Sequence, residues 1–96
     1  MRLNCLEISG EVCQVDPIRY TPAGIPAVNL ILKHSSEQIE ANLKRTINCE
    51  LSAKIMGNDA LIPLKIGDRI KTKGFIGNKS AKSNQLIFHI NFIEYL

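Results

Sequence analysis

The sequence contains no tryptophan and few aromatic residues: three Phe and two Tyr among 96 residues. Cysteine is also scarce, since Cys5, Cys13 and Cys49 are the only three and have no CxxC spacing. An odd number of thiols does not favour a disulfide framework, and a zinc site would need four ligands at short, paired spacings. His34 and His89 do not complete such a site. We therefore predict no metal and no other cofactor.

Long apolar runs are missing as well. No stretch approaches the roughly 18 residues that a membrane span needs. Acidic and polar residues enter the N-terminal segment too early for a signal peptide. A length of 96 residues suits one domain. We expect a single domain over residues 1–96 that is cytoplasmic and has no membrane partner.

Motifs that would indicate catalysis are absent from the chain. It has no nucleophile elbow, no phosphate-binding glycine loop and no HExxH pattern. His34 ends a predicted strand and His89 lies within another, so a packed or rim histidine is the favoured interpretation of each. We predict that the protein is not an enzyme.

The most distinctive segment that is present covers residues 16–34, with the sequence DPIRYTPAGIPAVNLILKH. Pro17, Pro22 and Pro26 exclude a helix, because each removes a backbone donor and fixes φ. Gly24 supplies a position at which a turn can take a positive φ. An apolar run then covers residues 27–32. This pattern predicts a hairpin with a stiff, Arg-bearing connection, as small barrels place beside a nucleic-acid groove.

Alternation of apolar and polar residues along the chain predicts five strands. Gly10 and Gly74 fall inside strands and favour tight curvature. The polar residues 35–45 are predicted to be a mobile hairpin loop, and residues 57–65 a helical turn or irregular plug. The pattern predicts an all-β, five-stranded OB-fold Greek-key barrel with a short helical or irregular segment between strands 3 and 4; a β-sandwich is the alternative. The predicted strands cover residues 3–15, 27–34, 46–56, 69–77 and 86–95.

The last predicted strand places its apolar side chains on both faces. Phe88 and Phe92 share one face, which we expect to be core. Ile87 and Ile93 lie on the opposite face, as Ile31 does in the second strand. These three isoleucines need cover, either from a partner subunit or from the curvature of the barrel itself.

Positive charge is concentrated in one part of the chain. The net charge is +3, whereas residues 65–82 hold six basic residues and one acid, a net charge of +5. The remaining residues therefore sum to −2. This distribution indicates a polyanionic partner, and an edge strand guarded by lysines is an equally weighted alternative.

A groove for single-stranded nucleic acid needs cations for phosphates and planar groups for bases. Tyr20, on a connection beside Arg19, is the best candidate for stacking, although packing at the hairpin base is equally consistent with its position. Phe75 shares a strand face with two lysines, and a dimer contact is the alternative there. With few aromatic residues, affinity would depend mainly on phosphates. The candidate binding residues are Arg19, Tyr20, Lys33, Lys44, Arg45, Lys54, Lys71, Lys73, Phe75, Lys79 and Lys82.

Three segments together resemble the PriB family of primosomal replication proteins. They are SGEVCQ and DPIRYTPAGIPAVNLILKHSS within residues 9–36, NCEL at 48–51, and KGFIGNKSAK at 73–82. The similarity covers nearly the whole chain, and its most specific parts are the PxGIP turn, the LKHxS strand end and the GFI strand. It implies a homodimeric OB-fold related to bacterial single-stranded DNA-binding protein.

The resemblance also implies a function in restarting stalled bacterial replication forks. PriB proteins bind single-stranded DNA and the PriA helicase, stimulate that helicase, and in some bacteria recruit DnaT; single-stranded DNA-binding protein is a further implied partner. The implied DNA site uses Lys79 and Lys82, a basic residue near the PxGIP turn that Arg19 matches best, and the second hairpin.

Two positions in that hairpin depart from the better-known members of the family. Leu43 and Asn48 stand where those members carry a Phe and a Trp, so Asn48 is included among the candidate binding residues. Losing two stacking positions predicts weaker, more electrostatic DNA binding. The alternative is a protein-interaction adaptor that docks a helicase and binds DNA only weakly.

Overall fold

The computed structural model describes residues 2–96. No helix in this part of the chain has the length and apolar character to cross a membrane. Within the same residues, a single 3₁₀ turn covers Asn58–Leu61 and lies between the fourth and fifth strands. The strands are β1 (Leu6–Val15), β2 (Arg19–Tyr20), β3 (Pro26–Glu40), β4 (Leu43–Met56), β5 (Arg69–Asn78) and β6 (Leu86–Tyr95).

The five long strands close into a barrel. Their order is β1-β5-β6-β4-β3, and pairing of β1 with β3 completes the ring. The short β2 extends the sheet at β3, opposite residues 26 and 27. Neighbouring strands are antiparallel except β4 and β6, which are parallel. This arrangement confirms the predicted OB-fold Greek-key barrel and excludes the sandwich.

The barrel interior is filled by alternate residues of all five long strands. Val12, Leu32, Ile55, Ile70 and Phe88 are among the fully buried side chains. The 3₁₀ turn packs the buried Ala60 against this core. The predicted helical or irregular segment is therefore confirmed.

Gly74 allows β5 and β6 to approach each other closely. A Cβ atom at this position would collide with the carbonyl oxygen of His89 and would lie 2.9 Å from the Phe88 ring. The close approach of the two backbones at Gly74 is consistent with the prediction that Gly74 lies in a tightly curved strand.

A bulge in β6 overturns part of the predicted core. Lys73 pairs with Phe92 but Gly74 pairs with Ile90, so Asn91 has no partner in β5. Such an extra residue reverses the alternation beyond it. Phe92, expected in the core, is 42% exposed, and Ile93, expected to face outward, packs against the core instead.

The sequence also predicts that Ile87 needs cover. In the single chain Ile87 is already buried, with only 5% of its surface exposed. Neither Ile87 nor Ile93 therefore requires a partner subunit for its burial.

The prediction of a loop over residues 35–45 is wrong. β3 continues to Glu40, β4 begins at Leu43, and the two strands pair along their whole length. Ala41 and Asn42 have φ angles of 53° and 63° and form a two-residue turn of the kind that matches strand twist. Ile39 is 74% exposed. Residues 35–48 are here called the hairpin arm. Because both faces of the hairpin arm meet solvent, its sequence has no apolar alternation that would mark the two strands.

Candidate nucleic-acid interface

A row of side chains crosses the outer face of the barrel from β2 to β5. Asn29 pairs with Lys54, Lys54 with His89, and His89 with Phe75. Arg19 extends the row from β2, because its Nη2 donates a hydrogen bond of 3.2 Å to Asn29 Oδ1. These five residues, here called the cross-sheet row, place two cations beside planar side chains.

Two rings of the cross-sheet row are stacked. The centroids of Phe75 and His89 are 4.7 Å apart and their planes differ by 8°. Burial lowers the pKa of His89 from its ordinary value, and the charge of Lys54 lowers it further. Both effects favour the neutral imidazole, so the stack presents aromatic rings without adding positive charge.

A second pair lies next to the cross-sheet row, one step further along β5. Lys73 pairs with Phe92 across the strands. The Lys73 Nζ lies 5.2 Å from the centroid of the Phe92 ring, within the range of a cation–π contact. Lys73 and Phe75 are two residues apart on one strand and so share its outer face.

The loop between β5 and β6 supplies further positive charge. Lys79 is held by a hydrogen bond of 2.8 Å from its backbone nitrogen to the carbonyl oxygen of Gln85. Lys79 lines a cavity together with Asn29 and Ile87, which places it beside the cross-sheet row. Lys82 is exposed in the same loop.

Three predicted cations are instead paired with acids. Lys71 Nζ lies 3.2 Å from Glu7 and Lys44 Nζ lies 3.8 Å from Glu37. Arg45 forms an ion pair with Glu40.

Lys33 lies between acidic neighbours, since it pairs with Glu11 on β1 and with Glu50 on β4. Lys33 forms no ion pair among residues 2–96, but the hollows that it lines contain Glu11 and Glu50 and no residue of the cross-sheet row.

The hairpin arm divides its candidate residues between two faces. Lys44 and Asn48 have the same parity as Lys54 on β4 and share its outer face, whereas Arg45 has the opposite parity. Asn48 is exposed. Tyr20 is 65% exposed, but consecutive strand residues point to opposite faces, so it points away from the face that Arg19 joins.

Sequence reasoning missed His89 and Phe92. The sequence favours a packed or rim position for His89, and the contact of His89 with Phe75 depends on the register of β5 with β6. Alternation places Phe92 in the core, because the bulge at Asn91 leaves no recognisable signal in the sequence. For His89, antiparallel pairing of the two predicted strands in the right register could have given its contact with Phe75.

Within residues 2–96, no three His, Cys, Asp or Glu side chains are grouped in a way that could hold a metal ion. The outer surface carries cations and planar rings instead. A closed Greek-key barrel with such a surface defines an OB-fold protein of the single-strand-binding class. The sequence profile described as "Another single-strand binding protein family" matches residues 4–92.

The similar proteins narrow this class further. A protein of Neisseria gonorrhoeae named "Replication restart protein PriB" is 36% identical over 94 residues, which cover 96% of this chain and 94% of that protein. A protein of the same name from Bordetella pertussis is 33% identical over 90 residues, covering 92% of this chain and 84% of that protein. The solved structure of PriB from Ralstonia solanacearum superposes with a TM-score of 0.86 at 30% identity, covering 99% of this chain and 100% of that one. The chain belongs to the PriB family of replication restart proteins.

Proposed function

We propose that this protein is a non-enzymatic accessory factor of replication restart that binds single-stranded DNA and stimulates the PriA helicase at stalled forks. The observation that carries the proposal is the cross-sheet row with the neighbouring Lys73–Phe92 pair. It brings unpaired cations and aromatic rings onto one continuous outer surface.

The charges of this surface suit a phosphate backbone. Arg19, Lys54, Lys73, Lys79 and Lys82 form no ion pair among residues 2–96. Each phosphate that a solvent-facing cation neutralises releases counterions condensed on the DNA, which makes single-strand binding favourable and dependent on salt. Four of the five lie on or beside the cross-sheet row, so a strand following them would pass over its planar groups.

The partners and the assembly are proposed from the family. The names of the PriB relatives support a function in replication restart, and the PriB motifs at residues 9–36 and 73–82 support PriA as the partner helicase. DnaT, in bacteria that have it, and single-stranded DNA-binding protein are proposed as further partners, and a homodimer as the assembly. Sedimentation equilibrium would test the dimer, and a monomer at tens of micromolar would overturn it.

Fluorescence anisotropy with labelled oligo-dT tests the proposed DNA binding. At low salt we expect binding in the micromolar range or tighter, and weaker binding as salt rises. An absence of binding at low salt would overturn the proposed function.

A second function, that of a helicase adaptor with weak DNA binding, is favoured by the hairpin arm. Leu43 and Asn48 offer no aromatic ring there. Lys44 and Arg45 form ion pairs with glutamates of the same arm. The double variant Lys79→Glu/Lys82→Glu separates the two functions when DNA binding and helicase stimulation are measured independently. Loss of stimulation with unchanged DNA binding would support the adaptor.

A further inference from the structure

We propose that Phe75, His89 and Phe92 form a base-stacking site, here called the aromatic platform, whose ligand is the nucleobases of a single strand. Lys54 and Lys73 would hold the phosphates on either side. This inference rests on the proposed function and assigns the part of the surface that contacts bases.

The position of the aromatic residues is the first argument. The chain has five aromatic residues, and among them Phe88 alone is fully buried. Two of the three phenylalanines instead lie on one outer patch, where Phe75 is 41% and Phe92 42% exposed. Apolar rings left this open beside lysines have the composition of a single-strand stacking surface rather than of a core.

The geometry of the stacked pair is the second argument. Phe75 and His89 lie on neighbouring strands, and their centroid separation of 4.7 Å equals the ordinary strand spacing. The two rings therefore stand on the sheet with their faces turned along the cross-strand direction. One face of Phe75 is covered by His89, and a base can add to the opposite face and continue the stack.

The stack is also fixed before any ligand binds. His89 lies between its cross-strand partners Lys54 and Phe75. At the tip of the ring, a Cβ atom on Gly77 would come within 3.2 Å of His89 Nε2, so Gly77 leaves the space that the ring needs. A ring already packed against Phe75 has less conformational freedom to lose when a base stacks on the column.

Phe92 provides a second ring one step along the strands. Its contact with Lys73 places the ammonium group over one face of the ring, so the opposite face is the one left for a base. A base on Phe92 and a phosphate on Lys73 would then occupy adjacent positions on the outer face of the barrel. The arrangement replaces, on the barrel itself, the stacking that Leu43 and Asn48 do not provide on the hairpin arm.

The first test compares oligo-dT with an abasic oligonucleotide of the same length, which keeps the phosphates and lacks the bases. The unmodified protein should bind oligo-dT about 5- to 150-fold more tightly, the factor that corresponds to 1–3 kcal/mol for one stacked base. In Phe75→Leu and Phe92→Leu this preference should shrink at least several-fold, while binding of the abasic strand stays unchanged. Tyr20→Leu is the matched control, and its preference should equal that of the unmodified protein.

Equal affinity of the unmodified protein for both oligonucleotides would overturn the aromatic platform and leave phosphate-driven DNA binding intact. Failure to bind either oligonucleotide at low salt would overturn the proposed function as well. A preference lost in Tyr20→Leu and kept in Phe75→Leu would move the stacking site to β2 and overturn the inference.

A second test needs no variant and so does not depend on the folding of one. An oligonucleotide carrying 5-iodo-deoxyuridine forms crosslinks on irradiation with aromatic side chains that touch the modified base. Mass spectrometry should locate these crosslinks at Phe75, His89 or Phe92. Crosslinks confined to Tyr20 or to the hairpin arm would contradict the aromatic platform.

Discussion

The number of unpaired cations on the outer surface determines how steeply DNA binding should weaken with salt. Eight basic residues other than Lys33 are candidates for phosphate contacts in the sequence. In the structure Lys44, Arg45 and Lys71 are paired with Glu37, Glu40 and Glu7. An arginine or lysine that already has a carboxylate partner must leave that partner to neutralise a phosphate, so it displaces fewer counterions from the DNA.

Five cations then remain to neutralise phosphates. For single-stranded DNA the slope of log affinity against log salt is about −0.7 per phosphate, so five contacts give about −3.5 and all eight would give about −5.6. Between 50 and 200 mM salt, the smaller slope weakens binding by roughly 100-fold and the larger by roughly 2,000-fold. Anisotropy titrations with oligo-dT over this range distinguish the two values.

Two single variants serve as a matched pair for this assay. Lys54→Gln removes an unpaired cation and should reduce the slope by about 0.7, whereas Lys71→Gln removes a cation held by Glu7 and should leave it nearly unchanged. A slope near zero would refute phosphate neutralisation as the source of affinity. An equal effect of the two variants would refute the distinction between paired and unpaired cations.

Three further predictions concern the stability of the fold. Gly74→Ala should lower the free energy of unfolding by about 3 kcal/mol, because the new methyl group meets the backbone of His89. Gly77→Ala should lower the free energy of unfolding by less than about 1 kcal/mol, because its methyl group meets only a side chain. Equal losses of the two variants in urea denaturation would contradict the close approach at Gly74. Ala41→Gly should raise the free energy of unfolding by about 0.5–1 kcal/mol, since it relieves a left-handed residue, and a destabilised variant in the same assay would argue against the turn. The pKa of His89 is lowered from 6.5 by burial and by Lys54, so its contribution to stability should be complete above pH 6.5 and decline as the pH falls through the lowered pKa. His89→Gln should remove that part of the pH dependence, and an unchanged profile would contradict it.

Much of the barrel could be predicted because its strands are half-buried. Apolar and polar residues alternate along β1, the first half of β3 and the second half of β4, which is the pattern that burial of one face imposes. The prolines and Gly24 of the connection before β3 mark a turn by their backbone restrictions alone. Gly24 has a φ of 81°, as the turn prediction requires.

The hairpin arm could not be predicted in the same way. Residues 35–40 and 43–46 contact solvent on most sides, so no periodicity distinguishes a strand from a loop there. The turn at Ala41 and Asn42 also lacks glycine, the usual mark of a two-residue hairpin. Cross-strand pairing holds the arm, and pairing is not visible in a single sequence.

The charges of the candidate site and the Phe75 ring could be predicted from the sequence, whereas the His89 and Phe92 rings could not. Lys54, Lys73 and Lys79 follow from strand parity and loop position. The partners of a ring depend on register, and one unpaired residue at Asn91 moves Phe92 from the core to the surface. The pairing of Lys71 with Glu7 likewise depends on how β1 meets β5.

The most direct test of the proposed interface is an NMR titration of the ¹⁵N-labelled protein with oligo-dT at low salt. The largest backbone amide shifts should fall on the strands and loop that carry Lys54, Lys73, Phe75, Lys79 and His89. Shifts around Glu11, which pairs with Arg69 at the other end of β1, should be small. The opposite distribution, with β1 shifted and the cross-sheet row unaffected, would contradict the proposed location of the DNA site.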